Sequence, residues 1–81
     1  MKKKEKKVLI YSTPNCFYCV KAKEFFAKNK IKYEEINVAA DSRAKEEMVV
    51  KSKQLGVPVI EIDKKIIVGF DIEQLIEIFD L

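Results

Sequence analysis

Cys16 and Cys19 are the only cysteines in the 81-residue chain, and they stand as Cys16-Phe17-Tyr18-Cys19 at the point where a β-type run gives way to a helical pattern. Two thiols three positions apart at a helix start have Cα atoms within the roughly 4.4–6.8 Å that a disulfide accepts, so they can form and break a bond with little backbone movement. A disulfide closing so small a loop constrains little of the unfolded chain, so exchange chemistry explains the pair better than stabilisation does. The reactive species is the thiolate. Cys16 is expected in the first helical turn, near unpaired backbone N–H groups and the positive end of the helix dipole, which lower a thiol pKa from about 8.5 toward or below neutrality. Cys19 lies a turn further in, on the side that carries Phe26, and is expected to be less accessible and closer to an ordinary thiol. The cycle this predicts has Cys16 attacking a substrate disulfide, a mixed disulfide forming, and Cys19 attacking Cys16 to release the reduced product. Lys21 and Lys23 are read as solvated lysines, secondary to the helix start.

The remaining composition removes competing chemistry. Histidine is absent, and two cysteines do not complete a four-ligand zinc site, so no metal is expected. The formal charge of +3 is mild and owes much to Lys2-Lys3-Lys4-Glu5-Lys6-Lys7; no basic helix face or aromatic interleaving continues that run, which argues against nucleic-acid binding. No apolar run is long enough for a membrane span, and the apolar residues after the lysines are too few for a secretory signal. A paired C-x-x-C without an export signal fits a reducing, cytoplasmic setting. Residues 1–81 are expected to be one domain, with 1–6 a charged leader.

Elements follow from periodicity. Lys7 to Tyr11 is a β-branched and aromatic run, expected as the first strand. Thr13 with Pro14, or Asn15, is expected to cap a helix opening at about Cys16 and running to Asn29, with Cys19, Ala22, Phe25 and Phe26 at helical spacing and Glu24–Lys28 as an i,i+4 pair. Ile31 to Val38 predicts a second strand, parallel to the first through a right-handed crossover. Asp41 is expected to cap a second helix running to about Lys53, with Ala44, Met48 and Val49 inward and Leu55-Gly56 ending it. Val57 to Ile62 and Ile66 to Val68 predict a hairpin across Asp63-Lys64-Lys65, with Pro58 at its start. Asp71 opens a last helix, with Gln74 completing a capping box and Leu75, Ile76 and Phe79 as the buried stripe.

The order β-α-β-α-β-β-α, read with its motifs, resembles the glutaredoxin branch of the thioredoxin fold along essentially the whole chain. Cys16-Phe17-Tyr18-Cys19 is similar to the family's Cys-Pro-Tyr-Cys, Gly56-Val57-Pro58 to its Thr-Val-Pro, and Val68-Gly69-Phe70-Asp71 to the Gly-Gly-x-Asp type segment before the last helix. The resemblance implies an α/β fold with a mixed sheet of order 2-1-3-4, helices on both faces and a cis bond at Pro58. It also implies a substrate or glutathione site made by Phe17, Tyr18, Val57, Pro58, Gly69, Phe70 and Asp71, with Cys16 and Cys19 as the catalytic, redox-active pair. Pro58 would set the Val57 backbone groups opposite Cys16, where an extended peptide or glutathione can pair like an added strand. Lys51, Lys53 and Gln54 are expected within reach of a glycyl carboxylate.

By that resemblance the chain is a monomeric disulfide oxidoreductase acting on protein disulfides or glutathione mixed disulfides, with glutathione as co-substrate. Two departures bear on the reductant. Ile72 stands where many relatives carry a polar residue for glutathione, and Gly69-Phe70 is similar to the Ser-Gly-Phe of redoxins that serve ribonucleotide reductase and take electrons from thioredoxin reductase. A third reading, of another class, is a dimer bridging a [2Fe–2S] cluster through Cys16 and glutathione. A merely structural C-x-x-C predicts that Cys16→Ser leaves disulfide reduction intact.

Overall fold

The structure is a computed structural model and describes residues 6–81, so most of the expected charged leader lies outside the described residues. Four strands, β1 (Val8–Ser12), β2 (Glu34–Asn37), β3 (Val59–Ile62) and β4 (Lys65–Val68), alternate with three helices, α1 (Phe17–Lys28), α2 (Ser42–Ser52) and α3 (Ile72–Phe79). The sheet order is β2-β1-β3-β4, with β2 parallel to β1 and the other pairings antiparallel, as the resemblance implies. Side chains alternate across the strands, which divides the core into two layers. Val8, Ile10, Ile60, Ile62 and Ile67 pack with Ala22 and Phe26 of α1 and Leu75 of α3 on one face. Tyr11 and Val59 pack with Val38 and with Ala44 and Met48 of α2 on the other.

The helices keep their expected boundaries to within about a residue, and the largest displacement, at the start of β2, follows from how α1 ends. α1 closes with Ile31 N–H donating to Phe26 C=O at 2.8 Å and Lys30 N–H to Ala27 C=O at 3.1 Å, while Lys30 takes φ 60°. This is a Schellman closure, and it uses residues that a strand would otherwise claim, so β2 begins at Glu34 instead of Ile31. α3 ends the same way through Asp80 and Leu81. α2 stops at Lys53 (φ 61°), whose N–H donates to Val49 C=O at 2.7 Å; the end lies where the sequence places it, but Lys53 and not Gly56 makes the closure. None of the three closures uses glycine. Both glycines of the chain, Gly56 and Gly69, lie in other loops.

Three side-chain expectations are corrected. Ile76 is 40% exposed, and the apolar side of α3 is made by Leu75 with Ile78 and Phe79. Gln74 sends its amide to the Asp71 carboxylate at 2.8 Å, so the reciprocal backbone bond of a capping box is replaced by a side-chain one. The ion pairs among the described residues are Lys23–Glu35 and Lys51–Glu61, not Glu24–Lys28.

Candidate thiol–disulfide site

Strand register gathers the candidate residues at one end of the sheet. Ser12 is aligned with Asn37, Tyr11 with Val59, and Val59 with Val68. The segment leaving β1 toward Cys16, the segment entering β3 through Pro58, and the segment leaving β4 through Gly69 to Asp71 therefore meet at that end. Gly69 N–H donates to Pro58 C=O at 2.8 Å and ties two of the segments directly. The Val57–Pro58 peptide is cis. Gly69 has φ 82°, a conformation that side-chain-bearing residues rarely adopt, so its place in this turn follows from its backbone.

The cysteines are joined as a disulfide with a Cα–Cα distance of 5.1 Å. Cys16 is half-buried and Cys19 is 1% exposed, packed on the side of α1 that also buries Ala22 and Phe26. Cys16 does not sit within the first turn: it is the N-cap, with extended backbone (φ −112°, ψ 109°), and its Sγ accepts the Cys19 N–H at 3.0 Å. Sulfur is not among the usual capping atoms, so capping preferences point to Thr13 and Asn15 instead of Cys16. No acidic residue occupies the first turn of α1, which leaves the helix's N-terminal field to the sulfur.

Phe17 and Tyr18 project between the cysteines, 66% and 58% exposed, with their rings edge to face at 5.2 Å. Lys21 places its ammonium 5.5 Å from the Phe17 ring centroid. Lys23 donates to Glu35 at 2.9 Å, and the same carboxylate oxygen accepts the Ser12 hydroxyl at 2.6 Å. The Ser12 hydroxyl first, and the Lys23 side chain second, hold the Glu35 carboxyl below the usual carboxylate range. Ser12 is buried, so Glu35 is what satisfies its hydroxyl. The sequence gives no sign of this cluster, because its members come from three elements.

On the opposite face Lys51 is committed as well. It donates to Glu61 at 2.7 Å and to the Tyr11 hydroxyl at 2.9 Å, and these contacts, Glu61 foremost, raise its pKa. A lysine so engaged is not free for a carboxylate of a ligand, contrary to the sequence expectation. Gln54 is likewise taken: its carboxamide accepts the Gly56 N–H at 2.8 Å and donates to the Gly56 C=O at 3.0 Å. Among the described residues the Val57 N–H and C=O have no hydrogen-bond partner. No group of three or more Cys, Asp or Glu among the described residues is placed to hold a metal ion.

Phe70 lies in the loop after β4 but turns its ring onto Phe25, centroids 6.0 Å apart, and so packs against the core. Asp71 caps α3: Oδ1 accepts the Gln74 N–H at 3.2 Å and Oδ2 the Gln74 side-chain amide, which is the foremost cause of an Asp71 pKa below the ordinary carboxylate value. Beside it Ile72 is 44% exposed.

This geometry has close counterparts in known proteins. The family model described as Glutaredoxin matches residues 8–67. A glutaredoxin-like 8.6 kDa protein of the rubredoxin operon of Clostridium pasteurianum is 51% identical over 73 residues, covering 86% of this chain and 97% of its own length. The crystal structure of the thioredoxin-like protein BC3987 superposes with a TM-score of 0.82 at 34% identity, covering 88% of this chain and 97% of that one. The glutaredoxin-like NrdH-redoxin of Escherichia coli, described as having a thioredoxin-like activity profile, superposes with a TM-score of 0.78 over 88% of this chain and 92% of its own; at 21% identity it shows a shared fold.

Proposed function

This chain belongs to the glutaredoxin family and is a thiol–disulfide oxidoreductase, and we propose that Cys16 is its attacking thiolate and Cys19 its resolving thiol. The observation that carries the assignment is the cap of α1, where the Cys19 N–H points at Cys16 Sγ. A donor aimed at a sulfur favours the anion over the neutral thiol, and the helix start adds to it. In the forward direction the Cys16 thiolate attacks one sulfur of a substrate disulfide, that S–S bond breaks, and the outer sulfur leaves as a thiolate and takes a proton. Cys19 then loses its proton and attacks Cys16 Sγ; the mixed disulfide breaks, the second substrate thiol leaves, and the Cys16–Cys19 disulfide remains. The exposure difference between the two cysteines supports this order, since only the first step requires access to an external disulfide.

The substrate is held, in this reading, by unpaired backbone at Val57 beside Pro58 and by the loop of Gly69, Phe70 and Asp71, with Phe17 and Tyr18 as an apolar border. An extended peptide, or the backbone of glutathione, would pair with the Val57 N–H and C=O as an added strand does. The α3 start, with Asp71 as cap, offers further N–H groups to a carboxylate. Glutathione is accordingly the proposed co-substrate, for a monomeric single domain working in a reducing cytoplasm. A second reading rests on Ile72 and Lys51: an exposed apolar side chain beside Asp71 and a lysine already paired leave fewer polar contacts for glutathione, which favours a redoxin recycled by thioredoxin reductase. Turnover with glutathione and glutathione reductase, compared with turnover with thioredoxin reductase, separates them. Cys19→Ser is expected to trap the mixed disulfide on Cys16, seen by mass; no adduct on Cys16 in that variant would remove the assignment.

A further inference from the structure

The turn that precedes Val57 is held by an unusual partner. The Gln54 carboxamide faces the Gly56 peptide groups edge on, accepting the N–H through Oε1 at 2.8 Å and donating through Nε2 to the C=O at 3.0 Å. Nε2 also reaches Ser52 Oγ at 3.2 Å, and Ser52 Oγ in turn lies 2.7 Å from Met48 C=O and 3.1 Å from Gln54 C=O, which anchors the carboxamide to the last turn of α2. Gly56 does not have a positive φ. Its lack of a side chain has another use: a Cβ there would stand 2.9 Å from Gln54 Oε1, so the carboxamide would have to shift from its present pairing. Gly56 thus leaves room for a side-chain amide that imitates a neighbouring strand, and the next residue is Val57, whose own peptide groups are unpaired among the described residues.

We infer that Gln54 is a positioning residue: by occupying both polar groups of Gly56 it fixes the turn so that the next peptide, Val57, is presented to a peptide substrate. This rests on the reading that Val57 pairs with the substrate backbone. Without the carboxamide, Gly56 would satisfy its groups with water and the turn would sample other orientations, so Val57 would meet the substrate less often in register. The residue acts through the loop and does not touch the reacting sulfurs.

The test is stoichiometric and needs no reductase. The fully reduced protein is mixed with excess of either a short peptide carrying a mixed disulfide with glutathione or bis(2-hydroxyethyl) disulfide, which has no peptide groups to pair, and formation of the Cys16–Cys19 disulfide is followed. Gln54→Ala is expected to slow the peptide reaction about tenfold, the effect of losing one to two ordinary hydrogen bonds' worth of alignment, while the small disulfide reacts within about twofold of the wild-type rate. Gly56→Ala, which displaces the same carboxamide, is expected to show the same split, and the double variant to be no slower than the slower single one, because both remove one interaction. Additive losses, or equal losses on both substrates, would overturn the inference. If the wild-type protein itself shows no preference for the peptide, it is the Val57 pairing that fails. If that preference exists and Gln54→Ala retains it, the positioning role alone is lost.

Discussion

The helix starts of α1 and α3 use one geometry for two purposes. In each, an extended residue accepts the N–H of the residue three positions on, Cys16 from Cys19 at 3.0 Å and Asp71 from Gln74 at 3.2 Å. Asp71 is already an anion at neutral pH, and both its oxygens accept from Gln74, so its carboxylate serves as a cap and takes no part in covalent chemistry. Cys16 reaches the same place with an atom whose charge depends on its bonding partner. Oxidised, it caps as a weak acceptor; reduced, it can cap as an anion. Under the proposed roles, the contrast teaches how an ordinary N-cap can serve as a nucleophile site: sulfur stands where a carboxylate would cap, and no acid occupies the first turn.

The largest test of that contrast is Cys16→Ser. Serine is a good capping residue, so the variant should keep the Tm of the reduced protein within a few degrees while disulfide exchange falls by at least about a thousandfold. Retained exchange would return the motif to a structural role. Next in size, the Asp41 cap of α2 accepts the Ala44 N–H in the same way but lies outside the thiol site. Asp41→Ala should cost about 1 kcal/mol in chemical denaturation, with exchange rates within about twofold of wild type. A loss of activity without loss of stability would show that α2 is coupled to the chemistry.

Acid sharpens the comparison from the other side. The Asp71 carboxyl sits below its ordinary value of 3.8, so the folded state binds its proton more weakly than the unfolded chain does. Its contribution is therefore present above that value and is lost as pH falls through the lower folded pKa. Asp71→Asn removes this titration and keeps a capping oxygen. The Tm curves of the two proteins should be separated at neutral pH and converge in acid, whereas parallel curves would mean the cap carries no charge-dependent stability. The smallest effect is expected at Phe17. The N–H aimed at the sulfur belongs to Cys19, so Phe17→Pro, which fixes φ at that position and removes its N–H and ring but leaves the Cys19 donor in place, should alter the pH profile of exchange little. A large displacement would assign Phe17 a donor role that the cap geometry does not.

Much of this was readable in the residues. Strands of Val and Ile, a hairpin too short for a crossover, and Asp41 and Asp71 as caps led to the element order, and three motifs at matching separations led to the fold. What escaped had no local signature. Lys30, Lys53 and Asp80 close helices in the left-handed conformation that sequence rules reserve for glycine, so the helix ends fall where periodicity places them but the residues that make the closures are not the expected ones. The Schellman bonds at Lys30 and Asp80 and the packing of Ile31 offset the intrinsic cost, about 1 kcal/mol, that such a residue carries. Lys23 and Lys51 looked like free cations because their partners are distant in sequence, Glu35 and Glu61, and meet them only across elements. Gln54 was misassigned for the opposite reason: its partner is two residues away, at a spacing that has no periodic pattern to betray it.

At the far end of β1 the Lys7 N–H donates to Asp63 Oδ1 at 3.0 Å, and the Asp63 N–H returns a bond to Lys7 C=O at 2.9 Å. This two-way clasp fastens the segment that enters β1 to the tip of the β3–β4 hairpin, one strand length, roughly 16 Å, from the end where Cys16 lies. Orientation is therefore built in. A fusion partner or an electrode linker joined ahead of Lys6 leaves from the pole opposite the disulfide and holds the protein with its thiols outward, so that immobilised molecules should exchange with dissolved disulfides as readily as free ones.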